Sequence, residues 1–414
     1  MILPMDRTVE KTILNNGLTV ISETLPTVRS ISLGIWVQIG SRYENKRNNG
    51  LAHFLEHMVF KRTKKRSGLQ IARALEELGG NLNAYTSKEL THYYTFSLDE
   101  HLPVCVDVLA DLICNPLFLE SDVEKEKQVV VEEINAVKDT PEEYLFDLFQ
   151  EKLFPDHPLG FPILGKESTV SGFNADMVKK FWQTYYVPQN IIISAAGRVD
   201  HQKLVKLVEK YFHFEHSGQI PETSKPKVAQ QVNLEIKESF NQAHIVAGLE
   251  GLPYASDDRF ALIALNAYLG GGMSSRAFQI IRERYGLAYM VYSTTDFFKD
   301  SGIFSFYIGT DSAHRKKAIQ LLTKEIKKVT EKQISQSAIK RLKEQLKGHL
   351  LLGMENTVHR MSRLAKNEIY FGRQIPLSES VEKINELSQK KIFDVAEKLF
   401  NLNKLNIIQM VGNA

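Results

Sequence analysis

The chain has 414 residues, a length that suits two domains of about 200 residues better than one large core. Hydrophobic residues make up 43% and charged residues 24%, which is ordinary for a soluble globular protein. Because 52 basic residues nearly balance 49 acidic ones, for a net charge of +3, the composition argues against nucleic acid or an anionic membrane as the main partner.

The N-terminal sequence MILPMDRTVEKTILNNGLTV shows no targeting signal. It has neither the apolar segment of a signal peptide nor the Arg/Ser-rich amphipathic character of a transit peptide. No run in the chain approaches the roughly 18 apolar residues that a membrane span needs. We therefore expect a soluble, cytoplasmic protein without a membrane partner.

Strand and helix patterns alternate along the first half. A turn dipeptide at residues 16–17 precedes one strand, LTVISETL, and a second strand, SISLGIWVQIG, follows. A helix over about residues 50–60 and a short helix ended by the glycine pair 79–80 come next. NLNAYTSKELTHYYTFSL alternates as strands, and HLPVCVDVLADLI is helical. The two cysteines, Cys105 and Cys114, have neither zinc nor redox spacing, so we expect buried free thiols in a reducing compartment.

A long helix is predicted over residues 121–139. Its start carries a capping-box signature, Ser121 with Glu124 three residues later. The first half then closes on a strand, NIIISAAGRV, and a helix that reaches Phe212.

The second half repeats the pattern of the first. Residues 216–231, rich in Pro, Gly, Ser and Lys without periodicity, form the predicted linker. After it, LNIIQMVGNA echoes NIIISAAGRV, with Gly412 standing 215 residues after Gly197. The sequence therefore predicts an α+β fold of two tandem, similar domains, each a mostly antiparallel sheet with helices packed on it. Their predicted bounds are 1–215 and 232–414.

The sequence HFLEH places three ionisable groups in an apolar helix. His53 and His57 lie one turn apart on the same face, so both imidazoles can bind one ion. Glu56 projects beside them. Buried polar groups are costly unless satisfied, and a divalent cation would satisfy both histidines. The alternative is that the histidines form local hydrogen bonds while Glu56 pairs with Lys61 or Arg62.

A tetrahedral zinc site needs a third protein ligand, and the helix over residues 121–139 offers two candidates. At about 100° per residue, Glu126 and Glu133 fall within its apolar stripe, whereas Glu132 falls on the polar flank. A buried carboxylate is therefore expected at Glu126 or Glu133, and the helix pattern does not choose between them. A solvated acidic helix face is the alternative, and it suits Glu132 well.

The surroundings of HFLEH follow a family pattern. HFLEH matches the inverted zinc motif HxxEH, with GSRYE before it and GLAHFLEHMVF around it, and EKEKQVVVEEI carries a glutamate pair seven residues apart. Together these motifs resemble the pitrilysin/insulinase family of zinc metallopeptidases, in the branch of mitochondrial processing peptidase and its bacterial relatives. The resemblance implies one Zn²⁺ per chain, held by His53, His57 and Glu133. It makes Glu126 their supporting residue.

The resemblance also implies a mechanism. Zinc would lower the pKa of its bound water towards neutrality and polarise the scissile carbonyl. Glu56 would act as the general base, and Glu126 would orient the site. The chain departs from the family at Arg62, where a glycine is usual. Because that position is not a ligand, the departure affects loop geometry rather than catalysis.

Two further segments resemble substrate-binding parts of the family. The family's Asn-Ala-aromatic segment is a strand edge that pairs with an extended peptide, and it maps to Asn83, Ala84 and Tyr85. Without the resemblance, an ordinary internal strand would be the preferred interpretation. Arg282 and Tyr289 resemble the family's arginine–tyrosine pair, which faces the zinc and helps to hold substrate and oxyanion. A glycine between them breaks the helix, so the sequence does not show that they converge.

The second half has no HxxEH motif and no buried glutamate pair, so we expect one zinc site per chain. The family architecture, a chamber between two such chains, implies a homodimer that cleaves short or unfolded peptides. One alternative is a non-catalytic core or assembly subunit on the same fold. Such subunits lose ligand residues, whereas this chain keeps the whole set. The other alternative is an unrelated helical binding protein in which HFLEH is coincidental.

Overall fold

The computed structural model describes residues 9–218, 222–238 and 242–412, and they form two compact units. The first unit contains the described residues of Met1–Asn135, Phe161–Thr223 and Leu351–Ser378. The second unit contains the described residues of Ala136–Gly160, Ser224–Leu350 and Glu379–Ala414. Each unit is a mostly antiparallel sheet with helices packed on it, so the predicted α+β fold of two similar domains is confirmed.

The described residues form eleven strands and fourteen α-helices. In chain order the strands are β1 (Val9–Ile13), β2 (Thr19–Thr24), β3 (Ser30–Val37), β4 (Asn81–Thr86), β5 (Thr91–Leu98), β6 (Ile191–Gly197), β7 (Asn233–Glu238), β8 (Gln242–Glu250), β9 (Ala288–Phe297), β10 (Gly302–Asp311) and β11 (Asn406–Gly412). The helices are α1 (Leu51–Val59), α2 (Gly68–Glu76), α3 (Leu102–Cys114), α4 (Glu120–Lys138), α5 (Pro141–Leu153), α6 (Glu167–Val170), α7 (Ala175–Tyr185), α8 (His201–Tyr211), α9 (Arg259–Leu269), α10 (Arg315–Glu331), α11 (Gln336–Gly353), α12 (Thr357–Phe371), α13 (Leu377–Asn385) and α14 (Gln389–Leu399).

The sheet of the first unit has the strand order β1-β2-β6-β3-β5-β4. Only β2 and β6 pair in parallel, and the other neighbours are antiparallel. The central strands β3 and β6 are mostly apolar and buried along almost their whole length, because helices cover both faces. By contrast, β4 alternates between exposed and half-buried residues and forms one edge of the sheet.

The sheet of the second unit repeats this topology. Its order is β7-β11-β8-β10-β9, with β7 and β11 parallel and the other pairs antiparallel. The run β2-β6-β3-β5-β4 has the same order and the same strand directions. The internal repeat predicted from the sequence is therefore present in the topology, and the first sheet adds β1 as an extra strand.

Each sheet is covered on one face by a helix that lies in the other half of the chain. Leu145, Phe149 and Leu153 of α5 are buried with residues of β8 and β11 in the second unit. Met361 and Leu364 of α12 are buried against β2, β3 and β6 in the first unit. The periodicity of an amphipathic helix predicts which face is buried but does not identify the sheet that receives it.

The two units therefore differ from the contiguous ranges 1–215 and 232–414 predicted from the sequence, because α5 and α12 are exchanged between them. Within the predicted linker, residues 216–218 and 222–231 contain no helix or strand. Residues 219–221 of that linker lie outside the described residues.

Three smaller predictions can be compared with the structure. Cys105 and Cys114 are buried free thiols on α3, as predicted. The long helix α4 is present but begins at Glu120, so Ser121 lies in its first turn and is not its N-cap, which corrects the predicted capping box. Across the described ranges, no helix is both long enough and apolar enough to cross a membrane.

Candidate metal centre

Helix α1 carries the HFLEH sequence and is held at its start by Glu44. Gly50 precedes the helix with a positive φ of 98° and no side-chain cap of its own. The Glu44 carboxylate instead accepts hydrogen bonds from the backbone N–H groups of Gly50 (2.8 Å) and Ala52 (2.7 Å). The side-chain amide of Asn49 donates a third bond of 2.9 Å. These bonds satisfy free donors at the helix N-terminus and fix the direction in which α1 leaves the loop.

The two histidines of α1 converge with Glu133 of α4. The Nε2 atoms of His53 and His57 each lie 3.8 Å from Glu133 Oε2. Their rings are 4.5 Å apart between centroids. One ligand atom from each residue falls within 4.8 Å of the others, and no second group of this kind is found in the described part of the chain.

This donor set fits zinc. Two imidazole nitrogens and one carboxylate oxygen form a ligand set that zinc takes in catalytic sites, where a fourth position stays open. Burial, followed by the charge of His57, lowers the pKa of His53 to about 3, so His53 is the neutral imidazole that metal binding requires. Nδ1 of His53 is buried and has no hydrogen-bond partner among the residues that the structure describes.

Glu126 contacts His57 from the side away from Glu133. Its Oε1 lies 2.8 Å from His57 Nδ1, and its Oε2 forms an ion pair with Lys61. Burial alone would lower the pKa of His57, but this hydrogen bond and the charges of Glu56 and the other glutamates outweigh burial and raise it. Glu126 therefore occupies Nδ1 and leaves Nε2 as the ring nitrogen that faces Glu133.

The three α4 glutamates compared in the sequence analysis differ in exposure. Glu126 is buried, with 2% of its surface exposed, and Glu132 is exposed to solvent. Glu133 was expected to be buried, yet 41% of its side-chain surface is exposed. It lies at the margin of the buried stripe, where its carboxylate reaches the histidines. A site that admits a substrate has to stay open on one side.

Glu56 is held by a residue that the sequence did not single out. Its Oε2 accepts a hydrogen bond of 2.8 Å from the Thr86 hydroxyl at the end of β4. Burial raises the pKa of Glu56, although the Thr86 hydrogen bond and the charge of His57 act in the opposite direction. Glu56 therefore projects beside the histidines, with one carboxylate oxygen fixed.

Lys61 and Arg62, the alternative partners considered for Glu56, pair with other residues. Arg62 donates from Nε and Nη2 to the two carboxylate oxygens of Asp122, at 2.6 and 3.2 Å. Lys61 pairs with Glu126 instead of Glu56. Arg62, the departure from the family pattern, thus connects the loop after α1 to the first turn of α4.

The predicted peptide-binding residues lie on an edge strand. Asn83, Ala84 and Tyr85 belong to β4, which pairs with β5 alone among the described strands. Asn83 and Tyr85 are exposed and Ala84 is half-buried. The next and last residue of the strand is Thr86, whose hydroxyl contacts Glu56.

Arg282 and Tyr289 lie together in the second unit. Arg282 belongs to a π-helical segment, Phe278–Arg284, and Tyr289 lies near the start of β9. The guanidinium carbon is 5.3 Å from the centroid of the tyrosine ring, and 77% of the Tyr289 surface is exposed. Gly286, with a φ of 60°, turns the chain between them. The structure thus brings these two residues together, which the sequence pattern could not show.

Family models match both halves of the chain. Residues 19–167 match the family described as Insulinase (Peptidase family M16), and residues 172–346 match a domain described as Peptidase M16 inactive domain. The first range contains both histidines and Glu133. The second contains Arg282 and Tyr289.

Relatives and solved structures resemble the chain over nearly its full length. An uncharacterized zinc protease of Bacillus subtilis, YmxG, is 38% identical over 96% of this chain and 97% of its own. An uncharacterized zinc protease of Streptomyces coelicolor is 38% identical over 94% of this chain and 86% of its own. The crystal structure of a protease from Helicobacter pylori superposes with a TM-score of 0.90, at 24% identity over 98% of this chain and 99% of the other. The last comparison shows the fold alone.

Proposed function

We propose that this chain, which belongs to the insulinase (M16) family of peptidases, is a zinc-dependent endopeptidase that hydrolyses short or unfolded peptides. One observation carries the proposal: ligand atoms of His53, His57 and Glu133 lie within 4.8 Å of one another, with Glu56 next to His57 in the chain. The names of the relatives, zinc proteases, support the metal and the class of reaction.

The residues around the centre have distinct roles in this proposal. His53, His57 and Glu133 would hold one zinc ion per chain. When bound, zinc supplies Lewis acidity that lowers the pKa of water and polarises a carbonyl. Glu56 would take the proton of the attacking water at its carboxylate and pass it to the leaving amine. Glu126 would keep the His57 ring in the orientation that leaves Nε2 free.

The edge strand β4 is the proposed substrate-binding element. An extended peptide can add to an exposed sheet edge through backbone hydrogen bonds, which gives affinity with little demand on sequence. Asn83, Ala84 and Tyr85 would contribute this edge, and Thr86 at its end reaches Glu56. A peptide paired along β4 would therefore run towards the proposed base.

In the proposal, the second unit helps to bind the substrate and does not bind the metal. In the described residues it holds no group of three metal-binding side chains, and the match to an inactive domain covers much of it. Arg282 and Tyr289 would bind a peptide carbonyl and donate to developing negative charge. We further propose that two chains form a homodimer that encloses peptides in a chamber.

The experiment that tests this function compares the unchanged chain with Glu56→Gln. We expect one zinc per chain, and cleavage of a quenched fluorescent peptide that stops with a chelator and returns with zinc. Glu56→Gln should keep its zinc and lose at least about a hundredfold in rate. Glu77→Gln, at an exposed glutamate at the end of α2, serves as the matched control.

The other outcomes separate the alternatives. A chain that binds no zinc and cleaves no peptide would favour a non-catalytic assembly subunit. Equal rates for Glu56→Gln and the unchanged chain would remove Glu56 as the base while leaving the metal site in place.

A further inference from the structure

The side chain of Thr86 forms a hydrogen bond with Glu56. Its hydroxyl donates to Glu56 Oε2 at 2.8 Å, across 30 positions of sequence. The backbone N–H of Thr86 also hydrogen-bonds this carboxylate. A carboxylate held at one oxygen loses much of its rotational freedom, which is what a base needs in order to meet its proton in a fixed geometry.

The position of Thr86 is fixed by the turn that joins β4 to β5. Thr86 pairs with Thr91 in the sheet register, and the next residue, Ser87, donates its N–H to Leu90 O at 2.7 Å. A residue from another loop also binds this turn. The backbone N–H of Arg42 donates to Lys88 O at 2.7 Å.

A buried ion pair strengthens this anchor. Nη1 of Arg42 lies 2.6 Å from Glu89 Oε1, and the exposed fractions of the two side chains are 1% and 6%. A charged hydrogen bond in a dry environment is short and directional. The hydroxyl that contacts Glu56 is therefore carried by a rigid turn and not by a mobile loop.

We propose that Thr86 is a positioning residue for Glu56 and couples the alignment of this base to strand β4. The inference rests on the proposed function and adds a specific role for β4. The strand that would pair with the peptide is the same strand that orients the base. A peptide that adds to the edge of β4 would stabilise the strand up to Thr86, and through Thr86 it would hold Glu56.

A merely structural role for Thr86 makes a different prediction. If the hydroxyl served only to satisfy a buried carboxylate, its removal would lower the stability and the zinc content of the protein together. If it aligns the base, its removal lowers kcat, while zinc content and KM stay unchanged. The two roles are therefore separable by measurement.

The test uses the full-length zinc protein in three variants. Thr86→Val removes the hydroxyl at nearly constant shape, and Thr86→Ser keeps it. Thr95→Val makes the same chemical change on β5, at a residue that pairs with Leu82, four strand positions away from Thr86. For each we would measure kcat, KM, zinc content and Tm, and determine the crystal structure of the valine variant.

We expect Thr86→Val to lower kcat by about tenfold to a hundredfold, the effect of losing a hydrogen bond to a charged group. KM and zinc content should match those of the unchanged chain, and Glu56 should take a different or disordered side-chain position in the crystal. Thr86→Ser should restore most of kcat, and Thr95→Val should leave it unchanged.

Three results would overturn the inference. They are an unchanged kcat in Thr86→Val, a loss of zinc in parallel with activity, and a serine variant as slow as the valine variant. If the unchanged chain itself shows no zinc-dependent cleavage, the proposed function fails and the role of Thr86 fails with it. That result is distinct from the first three, in all of which the unchanged chain is still a zinc-dependent peptidase.

Discussion

His57 Nδ1 and Glu126 Oε1 lie 2.8 Å apart, and this contact decides which nitrogen of His57 can bind a metal. With Nδ1 occupied, Nε2 is the ring nitrogen on the side where Glu133 lies. Glu126 is itself buried and ion-paired with Lys61. In the proposed metal centre it would therefore act through His57, without being a ligand.

The first prediction concerns this contact. Glu126→Ala leaves His57 free to rotate and to change its tautomer, so zinc affinity should fall by about tenfold to a hundredfold. Competition with a fluorescent chelator measures this change. Glu124→Ala, on the exposed face of the same helix, is the control and should bind zinc normally. An unchanged affinity in Glu126→Ala would mean that the ring is held by its surroundings alone.

The second prediction separates the adjacent glutamates of α4. Glu133→Gln replaces an anionic ligand by a neutral amide and should abolish stoichiometric zinc binding. Glu132→Gln, one residue earlier and solvent-exposed, should retain both zinc and activity. Elemental analysis after dialysis distinguishes them. Full zinc occupancy in Glu133→Gln would show that another group completes the site.

The third prediction concerns the start of α1. Glu44→Ala leaves two buried backbone N–H groups without their acceptor and removes one of the two acceptors of the Asn49 amide, which keeps its bond to Pro162 O. We expect the free energy of unfolding to fall by about 2–4 kcal/mol, since each unsatisfied donor is costly. Denaturant titration of the zinc-free protein measures it. Glu100→Ala, an exposed glutamate, should change stability by less than about 0.5 kcal/mol.

The Glu44→Ala substitution should also weaken zinc binding. Because Glu44 fixes the first turn of α1, the helix that carries His53, the same variant should bind zinc more weakly than the unchanged chain. A stability loss without any change in zinc affinity would restrict the role of Glu44 to folding.

The fourth prediction addresses the second unit. Tyr289→Phe removes a phenol that would donate to developing negative charge, and kcat/KM should fall by about tenfold to a hundredfold with zinc content unchanged. Tyr285→Phe is the matched control, because Tyr285 is also exposed and lies outside the proposed site. Equal kcat/KM values for the two variants would exclude a catalytic role for the Tyr289 hydroxyl.

Local patterns predicted most of the secondary structure, because periodicity and turn residues are properties of adjacent positions. The apolar run around HFLEH does form a buried helix, and the alternating residues of NLNAYT do form a strand. The packing partners of α5 and α12 were not predictable in this way. Each helix shows a buried stripe in its sequence, but the stripe fits either sheet equally well.

The candidate site was predicted unevenly for the same reason. The spacing of His53 and His57 is a local feature, and so is the register of Glu126 and Glu133 on α4. The contacts of Thr86 and Glu44 depend on where a turn and a loop end in space, and no local sequence pattern encodes that position. GSRYE did contain Glu44, but nothing in its spacing showed that its carboxylate would hold the start of α1.

The exchange of α5 and α12 has a consequence for biosynthesis. The face of the first sheet that contains Ile21 and Trp36 is covered by Met361 and Leu364, which are made more than 300 residues later. A nascent chain that has reached residue 215 therefore still exposes this apolar face on the ribosome, where it is open to chaperones and to aggregation. The metal-binding helix is synthesised early, but the unit that carries it is completed only when most of the polypeptide has emerged.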